Sequence, residues 1–246
     1  MWDNPRQLNM IALVIALASA VMLTWAAAAW LARQPTFAFR QVVIEGPLVH
    51  VNPAHLEAVV REELKGTFFT MRLDDARLSL QRAPWVRRIA LRRQWPNRLE
   101  VSVFEHQPLA RWNETALVDT EGEVFSADFD GELPQFIGPD GSADEVTTRF
   151  RAFGATLQPL KLEIGEIRLS SRGGWQLTMA NAPRLTVELG RTGPGDRLTR
   201  FVINYPQTVG ALIRAGSRVD YVDLRYRTGF AARAAGAGER ATRKIS

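Results

Sequence analysis

The 246-residue chain has no cysteine. That excludes a thiol nucleophile, a disulfide framework and a thiolate metal site. A cysteine-free chain is compatible with an oxidising compartment but does not require one. Histidine is almost as scarce. His50, His55 and His106 form neither HExxH nor any close metal-ligand spacing. Each reads as a surface or packing residue. There is no Ser-x-x-Lys, which argues against a penicillin-binding transpeptidase. The glycine-rich run Gly190 to Gly195 lacks the Lys-Ser/Thr of a phosphate loop and the spacing of a dinucleotide fingerprint. It reads as a turn. A carboxylate pair acting on glycan has no sequence signature, but the acids here cluster in turn-like segments. These absences point away from an enzyme and from any bound cofactor or metal.

Charge is missing altogether from Gln7 to Ala32, 26 residues between Arg6 and Arg33. A bilayer core about 30 Å thick needs about 20 apolar helical residues. Residues 7–32 therefore read as a transmembrane helix behind a cytoplasmic stub, residues 1–6. The alternative is a cleaved signal, for which Ala27-Ala28-Ala29 offers small residues. The uncharged stretch is long for a signal core of about 7 to 15 residues. Ala16 and Ala20 make a small-xxx-small pair. Arg6, Arg33 and Arg40 leave the orientation open by charge alone. Size favours an exported domain after the span.

The net charge of +5 is unevenly placed. Arg77, Arg82, Arg87, Arg88, Arg92, Arg93 and Arg98 occur with no acid among them. Every charged residue between Arg111 and Arg149 is acidic. A basic run on a tethered, exported domain suits an acidic partner or lipid headgroups better than nucleic acid. Simple solvation of a strand face is the plainer reading.

The expected fold class is α+β. Phe39 to Ile44 reads as a strand, stopped by Gly46-Pro47. Asn52 and Pro53 start a helix with Leu56, Val59, Val60 and Leu64 on one face, ended by Gly66. A shorter helix starts at Asp74 and stops before Pro84. Two strands follow, around residues 87–93 and 99–103, joined at Trp95-Pro96-Asn97. The result is a β-α-α-β-β unit over residues 37–106. A mainly β domain with helices on the sheet is expected over residues 107–230. In it, Asp119 to Gly122 reads as a hairpin turn. Ser142 and Glu145 read as a capping box before Val146, Phe150, Phe153 and Leu157. A second helical stretch from Arg197 is kinked or split at Pro206, and a last strand covers Val219 to Tyr226. Residues 231–246 read as a flexible basic tail.

This β-α-α-β-β unit behind a span resembles a POTRA domain. Its Leu80, Pro84-Trp85-Val86, Arg93, Trp95-Pro96, Leu99, Glu105, Pro108 and Ala110-Arg111-Trp112 resemble the FtsQ/DivIB family of bacterial division proteins. The likeness continues through Leu117-Val118-Asp119, Gly122, Phe125, Leu133-Pro134 and Gly138-Pro139. It ends with Glu188-Leu189-Gly190-Arg191, Arg200-Phe201, Tyr221 to Tyr226 and Gly229-Phe230-Ala231. The resemblance implies a non-enzymatic, single-pass inner-membrane scaffold of the divisome, with a cytoplasmic N-terminus and periplasmic domains at the septum. It implies contacts with FtsB and FtsL, and with other divisome components, near the last strand. On that basis Tyr221, Asp223, Arg225, Tyr226, Gly229 and Phe230 are the partner-binding candidates. No tryptophan follows Phe230, so a family contact made by a later aromatic falls to Phe230 or is absent.

The physics agrees with a partner site there, since a last strand at a sheet edge can accept an added strand. Arg88 and Arg92 alternate away from Ile89 and Leu91, giving a possible POTRA contact patch. A POTRA-type chaperone for outer-membrane proteins is the alternative, though it would be followed by a barrel too long for this chain.

Overall fold

The computed structural model describes residues 5–51, 54, 56–58, 60, 67–71, 73–181, 185–226 and 229–235. The expected helix start at Asn52 and Pro53, with Val59, Leu64 and Gly66, lies outside them, as do residues 236–246. Contacts divide the chain into two units, Met1–Glu105 and His106–Ser246.

The first unit opens with α1, Pro5–Ala32. Within it Leu8–Ala32 has a mean hydropathy of 2.3 and no buried face, so it is long and apolar enough to cross a membrane. The Thr24 hydroxyl donates back to the Ala20 carbonyl at 3.0 Å, which satisfies a polar group that lipid could not. After a 3-10 turn at Pro35–Phe37 come β1 (Gln41–Glu45), α2 (Leu73–Leu80), β2 (Val86–Gln94) and β3 (Arg98–Glu105). Residues 54, 56–58 and 60 are helical between β1 and α2. The sheet order is β1-β3-β2, with β1 parallel to β3 and β2 antiparallel to it. Leu56, Val60 and Leu80 from the helical segments pack on Ile89, Leu99, Val101 and Val103 of the sheet. Each such buried side chain stabilises the unit by about 1.5–3 kcal/mol.

Two family-pattern residues close this unit. Glu105 accepts the backbone N–H groups of Val49, His50 and Val51, the last at 2.9 Å. Burial alone would raise its pKa, but these three donors outweigh it and hold the carboxyl below its ordinary value. Trp85 stacks on the His50 ring at 3.9 Å.

The second unit is a nine-stranded sheet with helices on one face. Its strands are β4 (Pro108–Trp112), β5 (Ala116–Asp119), β6 (Val124–Phe125), β7 (Gln135–Ile137), β8 (Ile164–Leu169), β9 (Trp175–Met179), β10 (Thr186–Gly190), β11 (Arg218–Asp223) and β12 (Ala231–Ala235). Their order is β12-β11-β10-β9-β8-β7-β4-β5-β6. The helices are α3 (Ala143–Leu157), α4 (Pro194–Asn204) and α5 (Val209–Arg214), with Pro206 in a 3-10 turn that separates α4 from α5. Val146, Phe153, Leu157, Leu198 and Phe201 pack on Phe136, Ile167, Leu177, Val187 and Val222. Successive strand residues alternate faces. The helix-free face therefore carries Arg168, Gln176, Glu188 and Asp223 in one row across β8 to β11.

Two expectations change here, and one gains a detail. The Ser142–Glu145 capping box does not form, because the Ser142 hydroxyl donates to the Pro139 carbonyl at 2.6 Å instead. His106 is the packing residue expected, but with a polar partner that the sequence did not show. It is buried, stacks on Phe125 at 4.2 Å and meets the Asp119 carboxylate at 2.7 Å. The second change is at the end of the chain. Residues 231–235 of the expected flexible basic tail form β12, antiparallel to β11. β11 left unpaired would expose a row of N–H and C=O groups, and the tail satisfies them whatever its propensity.

Candidate partner-binding edge

The predicted partner residues gather at one end of the nine-stranded sheet, on and just after β11. β11 is not the edge strand, because β12 lies outside it. Among the described residues nothing pairs with the outer side of β12. It is short, and its residues are Ala-Ala-Arg-Ala-Ala. Residues 231–233 are exposed, and an unpaired strand edge can accept a further strand.

Tyr221 pairs in register with Arg233 of β12, whose guanidinium lies 5.4 Å from the Tyr221 ring centre. Arg233 also meets Asp220 at 3.0 Å. Burial, followed by the Asp223 and Glu188 carboxylates, raises the Tyr221 phenol above its usual pKa.

Asp223 is the most buried of the partner-binding candidates. It is 6% exposed. Its carboxylate accepts from Arg225 three ways: the backbone N–H at 3.0 Å, Nε at 2.9 Å and Nη2 at 2.7 Å. The Arg225 side chain, with smaller help from its backbone N–H, holds Asp223 below the ordinary carboxylate pKa. Asp223 thus positions Arg225, whose side chain stays open to solvent. The Leu224 N–H bonds to the Glu188 carbonyl at 2.9 Å, so β10 guides the chain past the end of β11.

Alternation would put Tyr226 on the core face with Val222 and Leu224. The strand ends at Asp223, and Tyr226 is instead 57% exposed. Gly229 is exposed. Phe230 turns inward and meets Phe201 edge-to-face at 5.8 Å, partly buried on the core. It is a packing residue as much as a contact residue. Between α4 and this segment lies a cavity of about 300 Å³, lined by Arg197, Arg200, Asn204, Leu224, Gly229 and Phe230 among others.

Two residues support the edge that the site prediction left out. Gly190 has φ +71°, and a Cβ there would lie 2.7 Å from Arg197 Nη1 and 2.9 Å from Arg225 Cγ. Arg197 in turn donates to the Leu189 carbonyl at 2.6 Å. The Glu-Leu-Gly-Arg segment was visible as a motif, and its glycine makes room for both arginines.

The other candidate surface is the POTRA sheet. Arg88 and Arg92 are exposed on the face opposite Ile89, as expected. The patch is not purely basic. The Arg88 guanidinium sits 4.5 Å from the Phe104 ring centre, and Glu100 is the register partner of Arg92. Elsewhere, His106, Asp119 and Glu123 bring ligand-type atoms within 4.8 Å of one another. Asp119 already accepts the N–H groups of Glu121 and Glu123 besides its contact with His106. That arrangement is a turn device.

Comparison with known proteins gives matches over most of the chain. The profile of the POTRA domain, FtsQ-type, matches residues 37–106. The profile of cell division protein FtsQ/DivIB, C-terminal, matches residues 110–225. The cell division protein FtsQ of Burkholderia pseudomallei is 41% identical over 243 residues, covering 96% of this chain and 95% of that one. Its counterpart in Nitrosospira multiformis is 37% identical over 238 residues, covering 95% and 99%. That of Escherichia coli is 32% identical over 235 residues, covering 93% and 84%.

Proposed function

The chain belongs to the FtsQ/DivIB family of cell division proteins, and from that premise we propose that it is a non-enzymatic scaffold of the divisome. It sits in the inner membrane by α1, with the N-terminus cytoplasmic and both folded units periplasmic, and it gathers at the septum. Its partners are FtsB and FtsL. The observation that carries the reading is the short outer strand β12, with Tyr226 and Arg225 presented beside it. A partner segment adds to β12 by backbone pairing, which sets register. Tyr221, Arg225, Tyr226 and the exposed part of Phe230 supply side-chain specificity. Aromatic and arginine anchors typically carry about 2 kcal/mol or more each at such sites.

Arg88 and Arg92 serve a second contact, an acidic partner on the POTRA sheet. The test of the main contact is Tyr226→Ala in the full-length protein. Tyr226 is exposed, so the variant keeps its melting temperature, loses FtsB–FtsL binding by about 30-fold or more for a 2 kcal/mol anchor, and fails to support division. A folded variant that binds the pair with unchanged affinity refutes Tyr226 as an anchor. A fluorescent fusion that labels the membrane of dividing cells without a ring at midcell refutes the divisome reading itself.

A further inference from the structure

The end of the POTRA unit next to α1 is built unlike the rest of its surface. The chain leaves α1 at Ala32, and the Ala32 carbonyl accepts the Thr67 hydroxyl at 2.5 Å. Ala38 pairs with Thr67 in an isolated bridge, and the Phe68 N–H bonds to the Phe37 carbonyl at 2.7 Å. The turn at residues 67–71 is therefore fastened to the end of the spanning helix. That turn is fastened to the β2–β3 hairpin as well, because Arg93 Nη2 donates to the Met71 carbonyl at 2.5 Å. The hairpin closes the ring through the Arg40 N–H, which bonds to the Asn97 carbonyl at 2.9 Å. Helix end, turn and hairpin tip form one tied cluster.

The side chains on this cluster share a chemistry. Trp95 at the hairpin tip is 74% exposed, and Phe69 on the turn is 53% exposed, edge-on to Phe37 at 5.3 Å. Arg40 and Arg98 are exposed and flank a cleft with Trp95. No acid occurs between Asp3 and Glu45, nor from Arg77 to Arg98, while Glu62, Glu63, Asp74 and Asp75 flank the turn in sequence. Exposed aromatics beside arginines match the interface of an anionic bilayer. Tryptophan favours the headgroup level, and each arginine near an anionic surface contributes about fivefold in binding.

We propose that this end of the POTRA domain docks on the membrane surface. Trp95 and Phe69 enter the interface, and Arg40 and Arg98 bind the phosphates of anionic lipids. The proposal rests on α1 being a retained span. The occupant is lipid because these residues are tied to the last residue of the helix, where the bilayer already is. A docked POTRA domain fixes the height of the exported part above the membrane, which a freely hinged one would not.

The cysteine-free chain makes a direct test available. The full-length protein with Gln94→Cys, labelled with a fluorophore, is reconstituted in nanodiscs containing a headgroup-nitroxide lipid. A control label replaces Val49, which is 79% exposed and whose N–H bonds to Glu105. Glu105 ends β3, about 23 Å along the strand from Arg98. In discs of phosphatidylethanolamine and phosphatidylglycerol the label at 94 is quenched and the label at 49 is not. Arg40→Gln with Arg98→Gln lowers the docked-to-undocked ratio about 25-fold. All-phosphatidylcholine discs, which need no substitution, lower it likewise.

An unquenched label at 94 in anionic discs overturns the proposal. So does quenching that is identical in neutral discs. Shielding of the label that appears only when FtsB–FtsL is added makes the surface a protein site and also overturns it. A chain that does not stay with the discs removes the anchor itself, which separates failure of the span from failure of the docking.

Discussion

Gly190→Ala perturbs the candidate edge without replacing any residue expected to meet a partner. Gly190 ends β10 at φ +71°, a left-handed conformation that costs a residue with Cβ about 1–2 kcal/mol. The new methyl would also meet Arg225 Cγ at 2.9 Å and Arg197 Nη1 at 2.7 Å. Neither atom moves freely. Cγ is mid-stem in a side chain held by Asp223, and Nη1 is bonded to the Leu189 carbonyl. Overpacking of this kind costs about 1–3 kcal/mol. The total is roughly 2–5 kcal/mol, which lowers the melting temperature by at least about 4 °C.

Arg225 is displaced from Asp223, so FtsB–FtsL binding weakens by more than the loss of folded protein explains. The assay is thermal unfolding of the full-length variant in nanodiscs, with partner affinity measured at 20 °C below its own midpoint. A melting temperature within about 1 °C of the parent, with unchanged affinity, refutes the argument.

Further outcomes follow from the same contacts. Arg88→Glu with Arg92→Glu lowers the melting temperature only slightly, since both side chains are exposed although one lies over Phe104 and the other opposite Glu100, and weakens septal recruitment by more than that loss explains; normal recruitment of a stably expressed double variant removes the functional claim. Glu105→Gln removes the charge from three charge-assisted hydrogen bonds, costing about 1.5–3 kcal/mol in urea unfolding; an unchanged midpoint contradicts that role. Glu105 and Asp223 both have depressed folded pKa values. Their stabilisation is therefore full above the unfolded carboxylate values of about 3.9–4.3 and is lost as pH falls through the folded ones. The urea midpoint should drop on going below about pH 5, and Glu105→Gln should flatten that acid limb; a steeper limb in the variant would contradict the sign.

Much of the POTRA unit is legible in the sequence because each of its signals is local. Ile89 and Leu91 alternate with Arg88, Ala90 and Arg92, Leu99, Val101 and Val103 alternate with polar residues, and Trp95-Pro96-Asn97 marks the turn between them. The structure places those residues on the sides that alternation assigns. Pro206 likewise separates two helices where its missing N–H requires. What the sequence hides is long-range.

β12 reads as a tail because Ala-Ala-Arg-Ala-Ala has neither β propensity nor period two. It becomes a strand only because β11 offers it partners. His106 and Asp119 are 13 residues apart and meet because β4 and β5 are paired. Asp223 was placeable on a face by alternation. Its burial was not, since that depends on Arg225 folding back over it. Ser142 had the right spacing for a capping box and a nearer acceptor in Pro139.

The central claim is that a partner strand adds to β12. Amide hydrogen exchange of the full-length protein, alone and with the FtsB–FtsL pair, tests it most directly. The outer amides of Ala231–Ala235 exchange freely in the unbound protein, because nothing described pairs with that side. On binding, alternate amides of β12 gain protection, as one edge of a strand does when a neighbour pairs with it. The inner amides, already bonded to β11, change little. Protection that appears elsewhere while the β12 amides exchange as before contradicts the claim.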